Sequence, residues 1–134
     1  RFYGTNLCAN LCSKQRSKTM KIVLSVLLLT AFNSYAGTVD DYLERHSEIK
    51  SNSVAETYVS HYAFMIAMME AQQKHNRSDN EFITGLLSNN GDVYARLAVK
   101  KLANDCLTQR SIGQSGELNN KECNIVIRAD KSEQ

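Results

Sequence analysis

The sequence predicts an all-α fold: a small bundle of about four helices with one long central helix and a C-terminal segment pinned by a disulfide. Three observations predict it. No proline occurs among the 134 residues, so no helix is forced to break where that residue removes a backbone donor. Apolar residues recur at helical spacing behind recognisable capping residues, with little strand-like alternation before residue 120. Two cysteines, Cys106 and Cys123, flank a polar loop late in the chain, and their separation suits a structural bridge rather than the Cys-x-x-Cys spacing of redox pairs.

The folded domain is expected to begin at Gly37. Met20-Lys21 is followed by eleven mostly apolar residues, Ile22–Phe32, and then by Ser34-Tyr35-Ala36, a small-x-small cleavage signature. Residues 20–36 therefore read as a secretory signal peptide cut after Ala36. The apolar run falls short of the ~20 residues that span a bilayer, and Asp40 and Asp41 follow it closely, so no stable membrane span is expected after cleavage. Arg1–Thr19 holds no methionine and only basic charges, and reads as sequence upstream of the true start. Cys8 and Cys12 belong to it; without a second cysteine pair or histidines at metal spacing they do not point to zinc. The expected location of the product is periplasmic or secreted.

This boundary changes the meaning of the charge. Five of the sixteen basic residues precede Gly37 while all fourteen acidic ones follow it, leaving eleven basic against fourteen acidic, a net of −3 in place of the whole-chain +2. A basic whole chain invites a nucleic-acid reading; residues 37–134 withdraw it, and no nucleic-acid partner is expected. A domain of about 100 residues sits at the lower end of the common size range, where a covalent staple is useful. Closing a loop the size of Cys106–Cys123 is worth about 3 kcal/mol on the chain-entropy model.

The helices follow in order. Thr38 is the expected N-cap of a helix over Val39–Lys50, with Asp40, Asp41 and Glu44 near the positive end of its dipole and Val39, Tyr42, Leu43, His46 and Ile49 on one side. Ser53-Val-Ala-Glu56 has the form of a capping box and opens a long helix over Val54–His75. Its middle, Tyr58–Met69, is apolar nearly all round, so it is expected to be covered on several sides as the central element. Ser78-Asp-Asn-Glu81 is a second box, opening a short helix with Phe82, Ile83, Leu86 and Leu87 on one face. Ser88-Asn-Asn-Gly91 is expected to stop that helix, with Gly91 free to take positive φ. The next helix, Asp92–Arg110, turns Tyr94, Leu97, Ala98, Leu102 and Cys106 inward. Ser111–Lys121 is a loop, Cys123–Arg128 fits either a short strand or a last helical turn, and residues 129–134 are expected to fray.

One cluster carries a chemical reading. His61, Met65 and Met69 share a line at i, i+4 and i+8 on the long helix, and imidazole and thioether groups suit Cu(I). A methionine stripe at helical spacing also serves as adaptable core filling, which is the preferred reading, and no cofactor is expected. His46, His61 and His75 have no nucleophile or carboxylate placed beside them by local sequence. Asp40-Asp41 is better explained by helix-terminus electrostatics than by acid–base chemistry. Asn76-Arg-Ser78 fits the N-glycosylation triplet, and Tyr58, Tyr62 and Tyr94 are expected to pack inward rather than form a contact surface. The expected function is interaction rather than catalysis: a small exported accessory component of a bacterial envelope, secretion or conjugation machine, with another protein as partner. The alternatives are an inhibitor or immunity-type protein binding a toxin or hydrolase, and a periplasmic copper-handling protein.

Overall fold

The structure, a computed structural model, describes residues 37–134; the expected leader over 20–36 and the upstream segment with Cys8 and Cys12 lie outside the described residues. Five helices follow in chain order: α1 (Val39–Arg45), α2 (Ser47–Lys50), α3 (Ser53–His75), α4 (Asn80–Ser111) and α5 (Asn120–Ser132). There is no strand among the described residues. The all-α bundle is therefore established for this region, with Cys106 and Cys123 bonded across it at a Cα–Cα distance of 5.7 Å.

The caps explain where each helix starts. Thr38 Oγ1 accepts from the Asp41 backbone N–H at 3.2 Å, and the Asp41 carboxylate accepts from the Thr38 N–H at 2.8 Å, a reciprocal capping box. Those same hydrogen bonds hold the Asp41 carboxyl below the usual carboxylate range. The cap of α3 is Asn52, whose side chain accepts from Ala55 N–H at 3.0 Å, so Ser53 is the first helical residue and the expected Ser53–Glu56 box does not form. The cap of α4 is likewise Asp79, accepting from Phe82 N–H at 3.1 Å, rather than Ser78. In both cases a neighbouring Asn or Asp, an equally good acceptor, sits in extended backbone and takes the role.

Two expected boundaries move for tertiary reasons. The helix expected over Val39–Lys50 breaks at His46, whose backbone leaves the helical region at φ −117°, ψ 67°. The break lets α1 pack on α4 while α2 turns onto α3 and α5, a path one straight helix cannot follow. Conversely, Ser88–Gly91 does not end a helix. It kinks α4 at Asn90 (φ −130°, ψ 18°), and the chain continues helically to Ser111. Gly91 is present for close approach rather than for positive φ: it is buried, and a Cβ on it would lie 2.6 Å from the Val39 backbone nitrogen. The adjacent Asp92 N–H donates to the Gly37 carbonyl at 2.8 Å, and the Asp92 carboxylate pairs with Arg45. The kink is thus the seat of the first helix.

The C-terminal segment resolves into helix, not strand. Asn119 and Glu122 form a capping box, with Glu122 Oε2 accepting from the Asn119 N–H at 2.8 Å. Glu122 is the buried charged residue of the described region, and this bond satisfies it. Cys123, Ile125, Val126, Ile127 and Ala129 are all buried, a wide apolar face that α5 lays on α4. Residues 129–134 are not frayed as expected. The helix runs to Ser132, and Glu133 meets His46 Nε2 at 2.7 Å, tying the chain's end to the α1–α2 break.

Contacts converge on α4, against which α1, α3 and α5 all pack; it, more than the long α3, is the centre of the bundle. Under the α1–α2 break Tyr42 is fully buried, with its ring stacked on His46 at 4.2 Å between centroids. Its hydroxyl has no hydrogen-bond partner.

Two substitutions test this arrangement. Gly91→Ala should destabilise by about 1–3 kcal/mol through overpacking, despite alanine's better helix propensity; a urea denaturation midpoint at or above wild type would contradict the seating of α1 on the kink. Tyr42→Phe should leave stability at pH 7 unchanged or raise it by up to about 1 kcal/mol, because it deletes an unpaired buried hydroxyl. Burial first, then the Glu133, Asp92 and Asp130 carboxylates, push the Tyr42 hydroxyl above its ordinary value. That contribution is complete below the unfolded value near pH 10 and lost as pH rises toward the folded one. Stability of the variant should accordingly fall less than wild type between pH 7 and pH 10.5.

Candidate interaction face

Residues 57–69 of α3 contain no Asp, Glu, Lys or Arg, so helix geometry alone sorts apolar, aromatic, hydroxyl and imidazole groups between inside and outside. The buried set is a single stripe at every fourth residue: Ala55, Val59, Ala63, Ala67 and Ala71. The larger side chains fall beside it or away from it. Phe64 and Ile66 pack at the margins of the core, whereas Val54, Met65, Met68 and Met69 are 41, 40, 38 and 51% exposed. The expectation that this helix is covered on several sides is therefore corrected. One side is covered, and the opposite side offers an uncharged, methionine-rich face.

α4 exposes apolar side chains of its own, among basic ones: Arg96, Lys100 and Lys101 are exposed there too. After the kink, α4 buries Ala95, Ala98, Val99, Leu102 and Ala103, a sector that leaves Leu97 one step outside it. Leu97, expected inward, is exposed, as is Val93 one turn earlier. Lys101, one turn beyond Leu97, places its ammonium 5.3 Å from the centre of the Tyr62 ring, which marks this edge of α4 as the one bordering the α3 face.

The loop between α4 and α5 closes one end. Leu118 is buried, and the Tyr62 hydroxyl donates to Glu117 Oε2 at 3.3 Å. A cleft of about 570 Å³ opens there, lined by Thr57, Tyr58, His61, Tyr62, Met65 and Glu117. A second, of about 390 Å³, lies on the other side of Tyr62 and reaches Leu102, Asp105 and Cys106. Burial, then the Glu117 carboxylate, pushes the Tyr62 hydroxyl up, and the Asp105 carboxylate, bonded to Lys101 at 2.9 Å, raises that ammonium. Lys101, Asp105 and Glu117 thus gather around Tyr62, and Glu117 shares its cleft with Met65.

The sequence-derived site residues are placed as follows. His61, Met65 and Met69 do lie along the exposed face, as their spacing requires, and the methionines are not core filling. They are strung along the axis, however. At ~1.5 Å per residue His61 and Met69 are about 12 Å apart, whereas first-row metal bonds to nitrogen and sulfur are only about 2.0–2.3 Å long. The three do not fit one ion; only adjacent pairs could share one. His46 is engaged with Tyr42 and Glu133, and His75 stands edge-on to Phe82 at 5.0 Å, so the three histidines are dispersed. Among the described residues no group of three or more His, Cys, Asp and Glu side chains could hold a metal ion. Tyr94 is buried as expected, and Tyr58 and Tyr62, half-exposed with ring centroids 6.5 Å apart, pack against the core from its margin. Asp41 caps α1, and Asn76–Ser78 is an exposed connection, with Asn76 in the left-handed region at φ 50°.

A Cu(I) titration of the full chain should accordingly show no one-to-one site whose strength depends on both methionines. Met65→Leu and Met69→Leu should leave whatever weak binding is seen unchanged; a tenfold loss in each variant would restore the three-ligand reading. Compared with protein families, with curated proteins and with solved structures, the chain matches none.

Proposed function

We propose that this chain is a small exported interaction protein, an accessory component of a bacterial envelope, secretion or conjugation machine, which meets another protein through the uncharged face of α3. The observation that carries the reading is that face. Large apolar patches on soluble domains mark sites of contact, and methionine side chains adapt to a partner's relief. Export is supported by the Cys106–Cys123 bond, since disulfides persist in oxidising compartments. Among the described residues no helix is long and apolar enough to cross a membrane.

The inhibitor or immunity reading rests on net acidity, which would act through charge. The uncharged face favours a partner recognised by apolar contact instead, and the net of −3 over residues 37–134 sets nucleic acid aside.

Expression of the full chain in a bacterial host tests both parts. The exported species should begin at Gly37 and weigh two hydrogens less than its reduced form. A photo-cross-linker at Met65 should yield a discrete protein adduct, and one at exposed Lys121 on α5 should not. Retention of residues 1–36, or equal cross-linking at both positions, would overturn the reading.

A further inference from the structure

We infer that the outward face of α4 docks the protein peripherally on an anionic lipid surface. Its cations meet headgroup phosphates, and the apolar side chains among them enter the boundary of the acyl layer. The inference stands apart from the α3 face and does not depend on the partner met there.

The first ground is charge segregation. Residues 93–112 hold Arg96, Lys100, Lys101 and Arg110 against one carboxylate, Asp105, a net of +3. The rest of 37–134 holds seven basic against thirteen acidic residues, a net of −6. Asp105 is engaged with Lys101 at 2.9 Å, and Arg110 keeps its charge on the neutral Asn124 side chain. Arg96 and Lys100 enter no ion pair among the described residues. An acidic domain thus gathers uncompensated positive charge on one stretch of one helix, complementary to an anionic surface.

The second ground is placement. Val93, Arg96, Lys100, Leu107 and Ser111 follow at spacings of three, four, seven and four, which puts them on one stripe at the helical period. Leu97 and Asn104 lie beside it, and all seven are exposed. The stripe is opposite the buried sector of Ala95, Ala98, Val99, Leu102 and Cys106. It is about 27 Å long at ~1.5 Å per residue, so its cations can reach several headgroups at once.

The third ground is the apolar content, which selects lipid among anionic partners. Val93, Leu97, Leu107 and Ile112 are 37, 44, 50 and 59% exposed among these cations. Long basic side chains snorkel to phosphates while neighbouring leucines dip into the interface. Single-stranded nucleic acid is held by stacking on aromatic rings, and Tyr94, the lone aromatic of the stretch, is buried. A protein partner seats its anchors in pockets, and the two clefts beside Tyr62 include none of Val93, Arg96, Leu97, Lys100 and Leu107. A fluid bilayer needs no matching relief.

Co-sedimentation of the exported chain with vesicles tests the inference. It should bind vesicles of phosphatidylcholine and phosphatidylglycerol in equal parts at low salt, and release as salt screens the charges. Pure phosphatidylcholine should bind it at least about tenfold more weakly. A Lys or Arg near an anionic leaflet contributes about fivefold to partitioning, so Arg96→Gln combined with Lys100→Gln should cost about 25-fold. Both side chains are exposed, so the far-ultraviolet dichroism should stay helical. Leu97→Gln combined with Leu107→Gln should weaken binding at least about threefold without altering its salt dependence. Lys74→Gln combined with Lys131→Gln removes the same charge elsewhere and should change binding less than about twofold. No binding to the anionic vesicles, equal binding to both kinds, or equal losses from the two charge variants would overturn the inference. So would binding lost in Met65→Lys and kept without Arg96 and Lys100, which would put the lipid on α3. If vesicles are not bound and a cross-linker at Leu97 captures one acidic protein, the face belongs to that protein and the lipid assignment fails. The Met65 adduct tests the α3 face separately in every case.

Discussion

The seam between α3 and α4 is the constraint on which the rest of this structure depends. Ala55, Val59, Ala63, Ala67 and Ala71 form the buried stripe of α3, which packs on α4, whose own buried residues include Ala95, Ala98 and Ala103. Side chains this small bring two helix backbones close, and the bulky residues of α3 cannot enter the narrow space between them. Met65, Met68 and Met69 are displaced to the other side by the same geometry that makes the pairing tight. Apolar character in excess of what the core can accept becomes surface, and that surface is the candidate site.

An alanine seam buries little area per residue, so the bundle is secured at the ends of α4. At one end, the kink at Asn90 lets Gly91 receive the start of α1, with the Asp92 N–H on the Gly37 carbonyl and the Asp92 carboxylate on Arg45. At the other, Cys106–Cys123 binds α4 to α5, and Arg110 adds a hydrogen bond to Asn124 Oδ1 at 2.7 Å. The chain's last turn then returns to the α1–α2 break through His46 and Glu133. With α4 held at both ends and α5 packed on it, the α3 face is left open among the described residues.

That openness gives the interaction reading its chemistry. The rim is polar, with Lys101, Asp105 and Glu117 gathered near Tyr62, and the centre is uncharged. A polar rim around an apolar centre is the usual anatomy of a protein contact. The histidine and methionines that suggested a metal stand at regular intervals along a rod, an arrangement suited to interdigitation and not to convergence on one ion.

Much was legible in the sequence because it was local. The helical class follows from the absence of proline and the periodic apolar pattern; the Thr38 cap and the Cys106–Cys123 bridge follow from residue type and spacing over short distances. What the tertiary structure alone decided was which of several equivalent local options was used. Asn52 and Asp79 took the caps because either neighbour could have accepted the same bond. Cys123–Arg128 became helix because a six-residue apolar run has no period of its own, and packing on α4 chose for it. The buried side of α3 was unreadable for a related reason. A helix apolar all round gives no periodic contrast, and its inside is set by the partner's alanines, which lie some 30 residues further along the chain.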